Sequence, residues 1–201
     1  MSVLQLLQNN INKLFPRSPV RAFVAVDATS NEISNLQKEM ISGLSTRDIK
    51  PVNPDNFHFT LIFLGEVGEQ RVASVVEKLG EIRFEPFSIT YTGVGAFPSP
   101  GNVRVVWVGI DEEGAAKLAA LARKVLAKMS EVGFRPDKPF SPHLTIFRAK
   151  NRHVRVNVSK YAGKTFGATQ VDRVHLKKSD LSPAGPTYSN VYTVNAAKEQ
   201  A

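Results

Sequence analysis

The chain has 201 residues, 42% of them hydrophobic, and carries 26 Lys and Arg against 18 Asp and Glu for a formal charge of +8. That length and apolar fraction suffice to bury a core, and with no low-complexity tract the chain is expected to be an ordinary soluble globule. Cysteine is absent, which removes disulfides, thiolate nucleophiles and zinc ribbons together and fits a cytoplasmic protein.

Along residues 1–19, Leu4, Leu7, Ile11 and Leu14 recur close to helical spacing before Phe15-Pro16-Arg17-Ser18-Pro19. The segment lacks the charged start, continuous apolar core and cleavage site of a secretory signal, and no run in the chain is long enough to span a membrane. Residues 1–19 are expected to form an added amphipathic helix docked on the body, a partner-binding helix being the alternative, with residues 20–201 as a single domain. A strand is expected near Val20 to Val26. Thr29-Ser30-Asn31-Glu32 reads as a capping box for a helix with Ile33, Leu36, Met40 and Leu44 on one face. A strand near Phe57 to Leu64 precedes a second helix marked by Val72, Val75, Val76 and Leu79. Strands near Phe87 to Thr92 and Val103 to Ile110 lead to a third, marked by Leu118, Leu121, Val125 and Met129 and ending near Gly133. Strands near His143 to Arg148, Phe166 to Leu176 and Tyr188 to Val194 complete the chain. Helices interleaved with hairpin-linked strands give an α+β fold with largely antiparallel sheets.

Two of these strands share a pattern, His58-Phe59-Thr60 and His143-Leu144-Thr145, 85 residues apart. Side chains alternate faces along a strand, so His and Thr at i and i+2 point the same way, about 6.6 Å apart. The spacing predicts a pseudo-repeat in which each half supplies a sheet with helices outside and one H-x-T strand lines a central groove. Two imidazoles there suit phosphoryl transfer, one taking a proton from the attacking oxygen and the other giving one to the leaving oxygen. The threonine hydroxyls can donate to the non-bridging phosphate oxygens. A lone strand histidine is more often a hydrogen-bonded core residue, and a lone threonine needs only β-propensity to explain it; the duplication is what argues for catalysis. Two histidines could also be metal ligands, but no cysteine pair or nearby carboxylate triad accompanies them at ligand spacing, so no metal or other cofactor is expected.

The longer strings Asn56-Phe57-His58-Phe59-Thr60-Leu61-Ile62-Phe63-Leu64-Gly65 and Pro142-His143-Leu144-Thr145-Ile146-Phe147-Arg148 resemble the paired signatures of the 2H phosphoesterase superfamily. Within it they resemble the RNA 2′,3′-cyclic phosphodiesterases, also called bacterial and archaeal 2′-5′ RNA ligases. Arg21 to Val26 resembles the family's opening strand, Phe97-Pro98 and Arg104 to Gly109 its middle, and Ser179 to Tyr188, with Leu181 and Gly185, its closing strands. Pro51 departs from the pattern, standing where family members usually carry Trp, and is expected to affect packing or substrate-edge contacts rather than the acid/base pair.

The resemblance implies a bilobal fold and hydrolysis of RNA 2′,3′-cyclic phosphate ends to 2′-phosphates, without metal or ATP. Run backwards, the same site would make a 2′-5′ linkage. It implies that His58 is the proton donor to the leaving ribose oxygen and His143 the proton acceptor that activates water, though near-symmetry leaves the reverse open. Thr60, Thr145 and Arg148 would bind the phosphate. Strict alternation points Arg148 away from His143 and Thr145, so a bulge or strand end must turn it inward.

Basic residues cluster after the second motif (Arg148, Lys150, Arg152, Arg155, Lys160, Lys164, Arg173, Lys177, Lys178). A positive surface beside the groove would attract a polyanion, for which RNA or a related nucleotide is the natural partner; a solvated basic surface is the plain alternative. No aromatic single-strand platform is visible, no membrane partner is expected, and a monomer is. His153 lies in a polar, basic stretch, and His175 alternates with Arg173 and Lys177, so both are expected to be exposed and non-catalytic. A non-catalytic RNA- or nucleotide-binding module and a cyclic phosphodiesterase acting on a small nucleotide remain alternatives.

Overall fold

Ser30, rather than Thr29, caps the first helix: its Oγ accepts from the Ile33 amide at 3.2 Å and donates to Glu32 at 2.8 Å. With the cap one residue later than the capping box requires, the glutamate bonds the cap's hydroxyl instead of its backbone amide. The computed structural model describes residues 19–136, 138–150, 154–182 and 185–197. The expected helix over 1–19 lies outside these but for Pro19, as does His153.

The described elements are β1 (Val20–Asp27), α1 (Asn31–Ile41), β2 (Ile49–Pro51), β3 (His58–Val67), α2 (Glu69–Gly80), β4 (Phe87–Ser99), β5 (Asn102–Ile110), α3 (Glu112–Glu131), β6 (Leu144–Ala149), β7 (Thr165–Val171), β8 (Arg173–Ser182) and β9 (Gly185–Asn195). The helices bury the stripes read from their periodicity, Ile33, Leu36 and Met40 on α1, Val72, Val75, Val76 and Leu79 on α2, Leu118, Leu121, Val125 and Met129 on α3; Leu44, expected on the α1 stripe, lies three residues past the helix end and is half-buried. Asp111 caps α3 by accepting from Gly114 at 2.9 Å and also takes the Thr90 amide of β4. Gly133 ends the helix in the left-handed region at φ +84, where a side chain would be strained.

All strand pairs are antiparallel, in two sheets of order β3-β1-β8-β9 and β2-β6-β5-β4-β7. This corrects the expectation that each half of the chain builds its own sheet. β8 and β9 from the second half complete the first sheet, and β2 and β4 from the first half join the second. The crossing shows at Asp172: the single strand expected over Phe166 to Leu176 is two, β7 in the second sheet and β8 in the first. α1 packs on β6 and β7, while α3 lies against α2, β3 and β4 and so ties the two sheets together. The H-x-T strands β3 and β6 also touch. Both lie at or next to a sheet edge, β6 being covered by the three-residue β2. Pro51, the departure from the family pattern, ends that edge strand opposite Phe147, where a missing N–H costs no ladder bond.

Candidate active site

β3 and β6 carry the same irregularity. On β3 the pairing with β1 slips between Thr60 and Ile62, and on β6 the pairing with β5 slips between Thr145 and Phe147. At these slips each strand holds one extra residue, Leu61 or Ile146, and two successive side chains turn to the core; β3 slips a second time at Leu64, beyond Phe63. A bulge of this kind resets the alternation. Arg148 thus returns to the face of His143 and Thr145, as its expected role required, and Phe63 returns to the face of His58 and Thr60.

The bulge on β6 is held from behind. Gln37 of α1, only 4% exposed, donates its amide to Ile146 O at 2.5 Å and Val52 O at 2.7 Å. Val52 N adds a bond to Ile146 O at 2.9 Å. No sequence signal pointed to Gln37, because a polar residue on a helix's apolar face is informative only once its partners are known.

The histidines are tethered alike. Nδ1 of His58 lies 2.6 Å from Asn56 O, and Nδ1 of His143 lies 2.8 Å from Ser141 O. A carbonyl only accepts, so each Nδ1 carries the hydrogen and each Nε2 is left for chemistry. Their surroundings differ. His58 packs on Phe23 at 5.0 Å and edge-on to Tyr188 at 5.3 Å, whereas His143 meets Phe97 edge-on at 5.2 Å. Burial, with Lys177 and Arg148 adding to it, holds the His58 imidazole below the ordinary histidine range; the Asn56 carbonyl and the Asp27 carboxylate act the other way. The two motif strands, one from each sheet, lie in contact, which brings Arg148 of β6 to the same side of the molecule as His58 of β3 and lines one groove with both motifs.

Aromatic residues absent as a sequence platform are assembled here from separate strands. Phe23, Phe63 and Tyr188 cluster on the His58 wall and Phe97 and Trp107 on the His143 wall. Phe63 is 69% exposed. Trp107, opposite Thr145, lies over Gly95, where an added Cβ would sit 2.1 Å from the indole.

Of the basic cluster expected beside the groove, Arg152 lies outside the described residues and the rest is dispersed. Lys160 pairs with Glu39 on α1, Arg173 with Asp172 and Lys178 with Asp180. Lys50, opposite Arg148 on β2, does join the groove. His175 and Lys177, expected on an exposed face, are buried, because that face of β8 is the groove floor rather than outer surface. Among the described residues no group of three or more His, Asp, Glu or Cys side chains could hold a metal ion, and no helix is long and apolar enough to cross a membrane.

Two antiparallel sheets flanking a groove, each contributing one tethered histidine with a threonine beside it, define a two-histidine phosphoesterase architecture. The model of the LigT-like phosphoesterases matches this chain twice, over residues 24–107 and 108–188, one H-x-T motif in each match. The chain belongs to the LigT-like 2H phosphoesterase family. It is 45% identical to an RNA 2′,3′-cyclic phosphodiesterase of Archaeoglobus fulgidus over 86% of this chain and 98% of the relative. With the enzyme of that name from Methanothermobacter thermautotrophicus it shares 37% identity, over 86% and 96%. Among solved structures, TT0787 of Thermus thermophilus is 30% identical with a TM-score of 0.72, covering 90% of this chain and all of that one. Escherichia coli LigT, at 24% identity and a TM-score of 0.71 over 90% and 99%, shares the fold.

Proposed function

We propose that this protein hydrolyses 2′,3′-cyclic phosphate ends of RNA to 2′-phosphates, using His58 as proton donor and His143 as proton acceptor, with residues 20–201 working as one bilobal monomer. The observation that carries the reading is the matched tethering of the two imidazoles: both Nδ1 atoms are committed to backbone carbonyls, so both Nε2 atoms are available to move a proton. The names of the relatives supply the substrate class.

In the forward reaction Nε2 of His143 takes a proton from water as its oxygen bonds to phosphorus. The P–O3′ bond breaks, Nε2 of His58 protonates O3′, and the phosphate stays on O2′. Thr60, Thr145 and Arg148 bind the non-bridging oxygens. Burial disfavours the His58 imidazolium in the empty groove; a bound phosphate anion offsets that penalty, and an imidazolium of lowered pKa gives up its proton readily. A ribose 5′-hydroxyl in place of water would give a 2′-5′ linkage through the same steps. Aromatic Phe63 and Tyr188 and basic Lys50 and Arg148 offer contacts to bases and phosphates.

The test is incubation in EDTA with an RNA oligomer ending in 2′,3′-cyclic phosphate, resolving 2′- from 3′-phosphate products. A 2′-phosphate product lost in both His58→Ala and His143→Ala is the expected result. Binding without turnover by the folded wild type would overturn the reading in favour of a binding module, and turnover only with added metal would overturn the two-histidine mechanism.

A further inference from the structure

The steps above leave unused a polar network beside His58 on the groove face of the first sheet. Asp27 of β1 pairs directly with His58 of β3, and further along the ladder Ala25 pairs with His175 and Phe23 with Lys177. Lys177, 7% exposed, reaches Asp27 Oδ1 at 2.7 Å and Asn190 Oδ1 at 2.7 Å. His175, 6% exposed, places Nε2 3.4 Å from the other Asp27 oxygen and Nδ1 2.9 Å from Thr193 Oγ1. Burying an ammonium is costly unless it is paired, and a sheet face needs no such group for its stability. Among the described residues the second sheet shows no counterpart: past the Val108–Leu144 pair, β5 continues with Gly109, which has no side chain.

We propose that Asp27 and Lys177 are positioning residues, a balanced pair of charges that fixes how readily His58, and not His143, carries its proton. The inference rests on the two-histidine reading for its consequence, but the pair itself can be observed without turnover. The charged and titratable groups facing His58 are Asp27 on β1, His175 and Lys177 on β8, Tyr188 on β9 and Arg148 on β6 from the facing wall. Asp27 alone among them carries the negative charge that favours the imidazolium, while Lys177 and Arg148 oppose it. Removing the carboxylate leaves two cations acting on His58, and removing the ammonium leaves Asp27 facing Arg148 only. The two substitutions must therefore move His58 in opposite directions.

The experiment is an NMR titration of the histidine ring signals in the full chain, with His58 identified by its loss in His58→Ala. Asp27→Asn is expected to lower the His58 midpoint, Lys177→Met to raise it, and the double variant to bring it back toward the wild-type value, with His143 unmoved throughout. Should Lys177→Met fail to fold, Lys177→Gln, which keeps an amide donor for Asn190, takes its place with the same expected sign. Midpoints that stay put, or that move the same way in both single variants, would overturn the proposal. Hydrolysis of a 2′,3′-cyclic mononucleotide across pH is followed in parallel. Divergent midpoints in a protein without turnover would sink the enzyme reading and keep the pair; intact turnover with unmoved midpoints would do the reverse.

Discussion

Replacing Gln37 by leucine keeps a side chain of comparable bulk but deletes both hydrogen bonds that clamp the β6 bulge. Ile146 O keeps its bond from Val52 N, so the group left without this donor is Val52 O on a half-buried residue. One net hydrogen bond is worth about 0.5–1.5 kcal/mol and a buried orphan about 1–3 kcal/mol, which puts the loss near ~2–3 kcal/mol. For a domain of this size that is a fall in Tm of roughly 5–10 °C. Activity should fall further than stability explains. Without the clamp the bulge can relax toward plain alternation, which swings Arg148 out of the groove, and misplacing one charge-assisted contact costs about 10- to 100-fold in kcat/KM. Urea denaturation and turnover of a cyclic-phosphate RNA measure the two effects separately. Val76→Ala on α2, a core truncation remote from β6, serves as a control that loses stability and keeps activity. If Gln37→Leu loses stability but turns over like that control, the bulge does not depend on Gln37 and the argument from α1 to Arg148 is wrong.

His58→Ala and His143→Ala should each lower kcat by about 10² to 10⁴. A cyclic phosphate with sulfur in place of O3′, whose leaving atom needs no proton, should rescue His58→Ala alone; rescue of His143→Ala instead would reverse the assigned roles. Burial is the main cause that holds both His58 and His175 below the ordinary histidine range. The unfolded chain, titrating near about 6.5, therefore binds more protons than the folded one just below that pH. Stability is complete above that value and falls as the pH drops through the folded values. Urea midpoints should accordingly decline from neutral pH to about pH 5, and less steeply when both histidines are changed to glutamine; a slope unaltered in that double variant contradicts the assignment. Phe63→Ala should leave Tm unchanged, since the ring is 69% exposed, while raising KM for cyclic-phosphate RNA about tenfold, in line with roughly 1–3 kcal/mol for a base stacked on an aromatic ring. An unchanged KM would remove Phe63 from the binding surface.

The local level of this fold was legible because the patterns that report it are local. The stripes of α1, α2 and α3 and the alternation of β1 and β5 are properties of short windows. The bulge on β6 could be inferred as a requirement of placing Arg148, although nothing in Thr145-Ile146-Phe147 marks it. The meeting of the two motif strands could be inferred from their repetition, but the other features made by distant segments could not be read. Strand exchange between the halves, the break at Asp172 and the aromatic walls of the groove all depend on pairings across the whole chain. His175 and Lys177 were misassigned for the same reason. Polar alternation on a strand signals an exposed face only when nothing is packed over it, and here Asp27, Asn190 and Thr193 from neighbouring strands complete the polar contacts.

The matched bulges place unlike residues at like positions, Phe63 on one wall and Arg148 on the other. Two interchangeable imidazoles by themselves would give the groove neither head nor tail: a cyclic phosphate could lie in it either way round, and O2′ or O3′ could depart with equal ease. On the proposed function, a ring that stacks with a base at one wall and a guanidinium that donates to phosphate oxygens at the other would remove that freedom. Which ester bond breaks would then follow from a difference between the two halves of a duplicated motif, and exchanging Phe63 and Arg148 would be the way to make the groove read its substrate backwards.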